Sequence, residues 1–116
     1  PLVQHPLLLM LHYYKEGRIS LERIVEKMSH AVADCFQIKE RGYIREGYFA
    51  DLVLVDFNNP STVTKENLLY KCGWSPLEGF TFPATITHTF VNGHLVYGNG
   101  RIDESQMGQR ILFDRN

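Results

Sequence analysis

The sequence predicts an α+β fold in which helices come first and antiparallel strands follow. Three observations support this prediction. Apolar residues recur at helical spacing in the first third of the chain, a short run of branched apolar residues follows at 52–56, and an Asn-Gly pair at 92–93 separates two alternating segments. The length of 116 residues fits one ordinary domain.

Amphipathic helices are predicted for the front of the chain. The first begins near Pro6, which suits a first helical turn, and stops at Gly17; its apolar face consists of Leu7, Leu8, Leu11 and Tyr14. A second helix follows Ser20, a suitable N-cap; its apolar residues are Leu21, Ile24, Val25 and Met28. A third short helix is predicted over 31–38.

Strands are predicted for the back of the chain. Residues 52–56 form a short apolar strand that ends at the turn-forming segment 58–60, and Thr64 caps a short helix. Asn92-Gly93 predicts a two-residue hairpin with a type I′ turn, and Asn99-Gly100 predicts a second turn.

Composition excludes several classes of function. Hydrophobic residues make up 44% and charged residues 22%, which is ordinary for a globular protein, and the net charge of −1 gives no electrostatic basis for binding nucleic acid or an anionic membrane. The apolar run 7–11 is far shorter than the roughly 20 residues of a membrane span, and it lacks the basic leader of a signal peptide.

Cys35 and Cys72 stand apart and predict two reduced thiols in a cytoplasmic protein. Because the chain begins at Pro1 without Met, we expect the numbering to start inside a longer or processed product.

Five histidines raise the question of a metal site. His5 and His12 are seven residues apart and lack the spacing and the Glu of a zincin helix, while His88 and His94 flank the hairpin turn without a clear third ligand. His30 lies at a predicted helix end, where an imidazole commonly meets terminal carbonyls. We therefore expect none of the five to bind a metal.

Other candidate residues have simpler interpretations. Nothing near Cys35 or Cys72 marks an activated nucleophile. Trp74, in the loop CGWSPLEG, is predicted to be a packing residue, and Asp51 is predicted to be a hydrogen-bonding acid beside a turn rather than a catalytic one. Residue chemistry alone thus predicts no complete active site in this chain.

Two segments resemble the C-terminal end of amidohydrolase-superfamily enzymes. These are RGYIREGYFADLVLVD and FPATITHTFVNGHLVYGNGRI. The positions that match the superfamily pattern are Arg41-Gly42, Ile44, Gly47, Ala50-Asp51 and Asp56. The segments CGWSPLEGFTFPATITHTFVNG and GQRILFDR are similar to the cyclic-amidase branch, most of all to dihydroorotase of the type related to allantoinase and dihydropyrimidinase. One departure is Ala31-Val32-Ala33, where many relatives have Asn-Pro-Ala, which predicts a less sharply defined start of the third helix.

The resemblance implies a fragment of a larger architecture. Residues 1–40 would be the last helical segment of a TIM-barrel hydrolase, and residues 41–116 would be antiparallel strands of its small composite β-sandwich. Gly42 and Gly47 would permit special backbone conformations or a close approach, and the strand 52–56 would be covered on both faces.

The resemblance also implies a chemistry whose residues would lie upstream of Pro1. Such enzymes hold zinc at the mouth of the barrel, where a metal-bound hydroxide attacks the amide carbon of a cyclic substrate. The ligand motifs of the barrel strands are not in this sequence. We therefore assign no catalytic, substrate-binding or metal residue to this chain.

Two hypotheses remain open at this point. The chain is either an inactive fragment of a dihydroorotase-like zinc hydrolase, or of a sister enzyme, or it is a stand-alone module that serves assembly. In either case, removing the barrel partners would expose apolar surface, so we expect a homo-oligomer.

Overall fold

The computed structural model describes residues 1–115. Its helices are α1 (Pro6–Lys15), α2 (Leu21–Val25), a π-helical segment (Glu26–His30), α3 (Ala31–Phe36) and a 3-10 turn (Lys65–Asn67). Its strands are β1 (Leu52–Asp56), β2 (Ser61–Thr62), β3 (Thr81–Phe82), β4 (Thr85–Val91), β5 (His94–Gly98) and β6 (Arg101–Ile102). The predicted order of helices before antiparallel strands is confirmed.

The chain forms two compact units. The first contains Pro1–Leu21 and Val55–Thr85, and the second contains Glu22–Leu54 and the chain from Ile86 onward. The division at residue 40 that the family resemblance implies concerns a larger protein and stays a prediction.

The core of the first unit lies around α1 and the pair β2–β3. β2 and β3 are antiparallel, α1 packs against β3, and the buried apolar side chains are Leu8, Leu11, Val63, Phe82 and Ala84. Of the predicted apolar face of α1, Leu8 and Leu11 are buried, whereas Tyr14 is 38% exposed and contacts the ring of Phe57. Thr64 is the N-cap residue of the 3-10 turn, as predicted, and its backbone N–H donates to Asn67 Oδ1 at 3.0 Å.

The helical segment from 21 to 36 is continuous, and all of its residues except the first belong to the second unit. A π-helical turn at Glu26–His30 joins α2 to α3, and the flanking Val25 and Ala31 keep right-handed helical backbone angles. The predicted third helix is present, but it continues from the helix before it, which agrees with the absence of Asn-Pro at its start. It ends at Phe36, two residues earlier than predicted, because Gln37 adopts a left-handed conformation with φ 55°.

The second unit buries little apolar surface. Among its described residues only Ile24 and Ala33 are buried hydrophobic side chains. Val25 and Met28, which belong to the predicted apolar residues of the helix, are 47% and 40% exposed. A helix buries a face only where another element covers it, and here the cover extends little beyond Ile24.

The predicted strands and turns are confirmed. The sheet has the strand order β1-β4-β5-β6, and β1 has the predicted bounds. Asn92 and Gly93 have φ values of 53° and 79°, which is the pair of positive angles that a type I′ hairpin requires. Asn99 and Gly100, with φ 50° and 80°, form the second turn before β6.

Gly42 and Gly47 have the same unusual backbone angle for different reasons. Both have φ 83°, a region that L side chains rarely adopt. A Cβ on Gly42 would lie 2.4 Å from the Cβ of Ala33 and 3.0 Å from the carbonyl oxygen of Ser29, whereas a Cβ on Gly47 would meet nothing within 4 Å. The predicted close approach therefore exists at Gly42, where the chain crosses the helix. At Gly47, glycine is required only by the backbone conformation.

Candidate functional site

The five histidines lie in separate environments. His5 is 3% exposed, its ring stacks on Phe82 with centroids 5.6 Å apart, and its Nδ1 has no hydrogen-bond partner among the described residues. Burial lowers the pKa of this imidazole below its usual value of 6.5. His12 pairs with Glu16 one helical turn further on, with Nε2 3.2 Å from the carboxylate. Neither His5 nor His12 is paired with another histidine in these contacts.

His30 contacts the loop that follows the helix. Its Nδ1 lies 2.6 Å from the carbonyl oxygen of Gly42, and its ring stacks on Tyr43 with centroids 4.1 Å apart. The Tyr43 hydroxyl donates to Asp34 Oδ2 at 2.7 Å, and this hydrogen bond raises the pKa of Tyr43. The predicted contact of His30 with a carbonyl is present, but the carbonyl belongs to the loop and not to the end of its own helix.

Asp51 joins three parts of the second unit. Its Oδ1 accepts a hydrogen bond from the backbone N–H of Asn92 at 2.8 Å, and its Oδ2 pairs with the guanidinium of Arg41. The same guanidinium lies over the ring of Phe49, 4.0 Å from its centroid. Asp51 is therefore a hydrogen-bonding acid at a turn, as predicted, and both of its oxygens are engaged.

His94 and Asp103 form the one histidine–carboxylate pair of the described second unit. His94 Nε2 is 3.1 Å from Asp103 Oδ2, and Nε2 has no other partner in the part of the chain that the structure describes. Hydrogen bonds from Ser105 lower the pKa of Asp103, and the charge of His94 acts in the same direction. Sequence reasoning missed Asp103 because it lies nine residues away, beyond a second turn.

The described residues do not form a metal centre. Within residues 1–115, no three side chains of His, Cys, Asp or Glu lie close enough together to hold a metal ion. His88 donates to or accepts from its neighbour Thr87, with Nδ1 and Oγ1 2.9 Å apart, and takes no part in the pair formed by His94. Residues 1–115 thus supply no complete ligand set for the zinc centre that the family resemblance places upstream of Pro1.

The remaining candidates are surface residues. Cys35 and Cys72 are both free and exposed. Trp74, predicted to be a packing residue, is 53% exposed, and its backbone carbonyl accepts a hydrogen bond from the hydroxyl of Tyr70 at 3.0 Å. Among residues 1–115, every helix is too short or too polar to cross a bilayer.

A half-open cavity of about 220 Å³ lies beside the hairpin of the second unit. Its lining residues are Val91, Asn92, His94, Val96 and the segment 106–109. No sequence pattern joins the hairpin to residues 106–109, so the cavity could not have been found from the sequence.

Comparison with known proteins connects these features to one family. The model of the amidohydrolase family matches residues 2–96. An allantoinase from Desulfitobacterium hafniense is 33% identical over 103 residues, which cover 89% of this chain and 23% of that protein. A dihydroorotase from Pyrococcus horikoshii is 34% identical over 108 residues, which cover 93% of this chain and 26% of that protein.

A solved structure gives the same result. The L-hydantoinase (dihydropyrimidinase) of Arthrobacter aurescens superimposes with a TM-score of 0.80 at 30% sequence identity, covering 90% of this chain and 24% of that one. The chain thus spans about a quarter of the length of the relatives that it matches. Because the family match extends over residues 2–96, the chain belongs to the amidohydrolase family.

Proposed function

We propose that this chain is the C-terminal part of a zinc-dependent cyclic amidase, most like dihydroorotase. Such an enzyme reversibly hydrolyses the cyclic amide of dihydroorotate to carbamoyl aspartate in pyrimidine biosynthesis. The observation that carries the proposal is the match of nearly the whole chain to about a quarter of an archaeal dihydroorotase. In this proposal the enzyme is cytoplasmic and its substrate is a small cyclic amide.

The proposed role of the chain is structural. Residues 1–40 would complete a TIM barrel, residues 41–116 would contribute strands to a small β-sandwich, and the zinc ligands, catalytic residues and substrate contacts would all lie upstream. Two observations support this role. No three metal-binding side chains meet within the described residues, and the carboxylate of Asp51 is already engaged by Arg41 and Asn92.

The test compares the 116-residue chain with the longest product of its gene. Both are dialysed, analysed for bound zinc and assayed for hydrolysis of dihydroorotate, allantoin and dihydrouracil. We expect the chain alone to retain no zinc and to hydrolyse none of the three. We expect the longer product to retain zinc and to act fastest on dihydroorotate. A tightly bound zinc ion on the chain alone would contradict the proposal.

A sister activity is the second candidate. An allantoinase matches this chain at 33% identity, nearly the same value as the dihydroorotase, so this segment does not separate the two substrates. If allantoin were the preferred substrate of the longer product, the protein would be an allantoinase. If the intact mass of the gene product were close to 13.4 kDa, the chain would instead be a stand-alone module that serves assembly.

A further inference from the structure

Two Asn-Gly pairs, at 92–93 and 99–100, form the centres of the two hairpin turns, and all four residues have φ between 50° and 80°. Asparagine followed by glycine is especially prone to spontaneous deamidation. Glycine has no Cβ that would hinder its backbone nitrogen from reaching the side-chain carbonyl carbon of the asparagine. Because the two pairs share this local chemistry, a difference in their reactivity must come from the fold around them.

The first turn is held at the atoms that would react. The backbone N–H of Gly93, which contains the attacking nitrogen, donates to the carbonyl of Ala50 at 3.0 Å. The N–H of Asn92 donates to Asp51 Oδ1 at 2.8 Å, and the side-chain oxygen of Asn92 is buried. Deamidation requires the glycine nitrogen to lose its proton and to turn toward the side chain, and both steps would break its hydrogen bond to Ala50.

The second turn does not hold those atoms. The N–H of Asn99 donates to the carbonyl of Thr87 at 3.1 Å, but the N–H of Gly100 donates to no acceptor within residues 1–115. Asn99 and Gly100 are both exposed. The turn leads into β6, a strand of two residues at an edge of the described sheet, so local opening costs little there.

We propose that Asn99 is a site of spontaneous deamidation and that the fold protects Asn92 from the same reaction. The backbone nitrogen of Gly100 attacks the side-chain carbonyl carbon of Asn99. A C–N bond forms, and the side-chain amide leaves as ammonia together with the proton that the nitrogen has lost. Water then opens the cyclic imide at either of its two carbonyl carbons. One opening gives aspartate, and the other gives isoaspartate, whose backbone is longer by one methylene group.

Isoaspartate in the second turn would release β6. A two-residue hairpin fixes the register of its strands, here with Gly98 opposite Arg101, and an added backbone atom changes the length of the loop. The hydrogen bond of 2.8 Å from the N–H of Asp103 to the carbonyl of Val96 depends on this register. The reaction needs only the turn and water, so it does not depend on the function proposed above.

The experiment incubates the folded 116-residue chain in mildly alkaline buffer at body temperature and follows deamidation by mass spectrometry. Both pairs lie in one tryptic peptide, 72–101, so fragment ions assign the gain in mass to one asparagine or the other. We expect Asn99 to convert about tenfold faster than Asn92, into a mixture of aspartate and isoaspartate, because one or two hydrogen bonds correspond to a factor of this order. In concentrated guanidinium chloride, the two should convert at similar rates.

Matched glycine variants assign the fast reaction to one turn. Asn99→Gly removes the reactive side chain and keeps the turn, because glycine accepts the positive φ of 50° at this position. Asn92→Gly makes the same change in the first turn, at φ 53°. We expect Asn99→Gly to abolish the fast deamidation and Asn92→Gly to leave its rate unchanged.

Asn99→Asp separates the new charge from the longer backbone. This variant carries the carboxylate on a backbone of unchanged length, so its Asp103 amide should stay protected against hydrogen exchange. The same amide should lose its protection in the isoaspartate form of the wild type. Equal protection in the two forms would contradict the release of β6.

Three results would overturn the proposed site. Equal conversion of Asn92 and Asn99 in the folded chain would mean that the hydrogen bonds of the first turn give no protection. Conversion of both in guanidinium chloride but of neither in the folded chain would mean that the second turn is as closed as the first. Aspartate without isoaspartate at position 99 would mean that the cyclic imide does not form.

Discussion

The carboxylate of Asp51 accepts a hydrogen bond from the backbone N–H of Asn92, 2.8 Å away across 41 residues of sequence. The neighbouring N–H of Gly93 donates to the carbonyl of Ala50 at 3.0 Å. The dipeptide Ala50-Asp51 thus holds both central residues of the hairpin turn, one through a side chain and one through the backbone. This arrangement gives the acid that precedes the apolar strand β1 a structural role.

The first prediction concerns this contact. Asp51→Asn keeps the size of the side chain but loses the charge that Arg41 faces, and the Arg41 side chain is only 10% exposed. A partly buried cation without its partner is costly, so we expect the free energy of unfolding to fall by about 1–3 kcal/mol. Urea denaturation of the chain measures this loss.

The control for this substitution lies at the other end of β1. Asp56 Oδ1 accepts a hydrogen bond from the N–H of Asn58 at 2.8 Å, a local turn contact that asparagine can also make. Asp56→Asn should therefore change the urea midpoint much less than Asp51→Asn. If both variants lowered the urea midpoint equally, the contacts of Asp51 with Arg41 and Asn92 would not be the source of the stabilisation.

The second prediction uses Gly42 and Gly47, which share φ 83° but differ in surroundings. Gly47→Ala should cost about 1–2 kcal/mol, the penalty of the left-handed conformation alone. Gly42→Ala should cost a further 1–3 kcal/mol or so, because its Cβ would overlap the Cβ of Ala33. Thermal or urea unfolding of both variants gives the difference.

A second substitution separates the two causes. Ala33→Gly removes the atom that the new methyl group would meet, so it should restore part of the loss in Gly42→Ala and none of the loss in Gly47→Ala. If Gly42→Ala and Gly47→Ala were equally stable, the loop would not lie against the helix as the structure has it.

The third prediction concerns pH and His5. Burial lowers the pKa of this imidazole in the folded chain, so the unfolded chain binds the proton more readily once the pH falls below about 6.5. The free energy of unfolding should therefore decrease as the pH falls from about 6.5 through the lowered pKa, and His5 should add no further loss below it.

Variants identify His5 as the source of this loss. His5→Phe keeps a ring against Phe82 and cannot be protonated, so the decrease in the urea midpoint between about pH 7.5 and pH 5.5 should become smaller. An equal decrease in wild type and His5→Phe would rule out His5.

Local patterns predicted the elements well. Proline and glycine set the limits of α1, and the Asn-Gly pairs set both turns, because these signals depend on backbone conformation that a few neighbouring residues determine. The bounds of β1 were also predicted from local sequence signals. The π-helical turn at 26–30 was not predicted, since no single residue signals it.

Burial depends on more than the local pattern. Val53 and Leu54, which the family resemblance places under cover on both faces of β1 in a larger protein, are 41% and 49% exposed in this chain, and the cover itself stays a prediction. Whether a face of a strand is buried depends on the element that packs against it. An apolar strand pattern predicts that such an element is needed, but it does not show that the element is present. The pair His94–Asp103 and the cavity beside it escaped prediction because they bring together segments with no shared sequence signal.

The last prediction follows from these exposed strands. β1 lies at an edge of the described sheet, and Val53 and Leu54 expose apolar surface there. An open apolar edge recruits another strand, so we predict that the chain self-associates through β1 at micromolar concentration.

Leu54→Lys should raise the dissociation constant of the dimer about tenfold or more, because it removes apolar area and adds like charges. Ile44→Lys, at an 89% exposed loop position outside any strand, should leave association unchanged. Light scattering measures all three proteins, and a stable 13.4 kDa wild-type monomer would contradict the prediction.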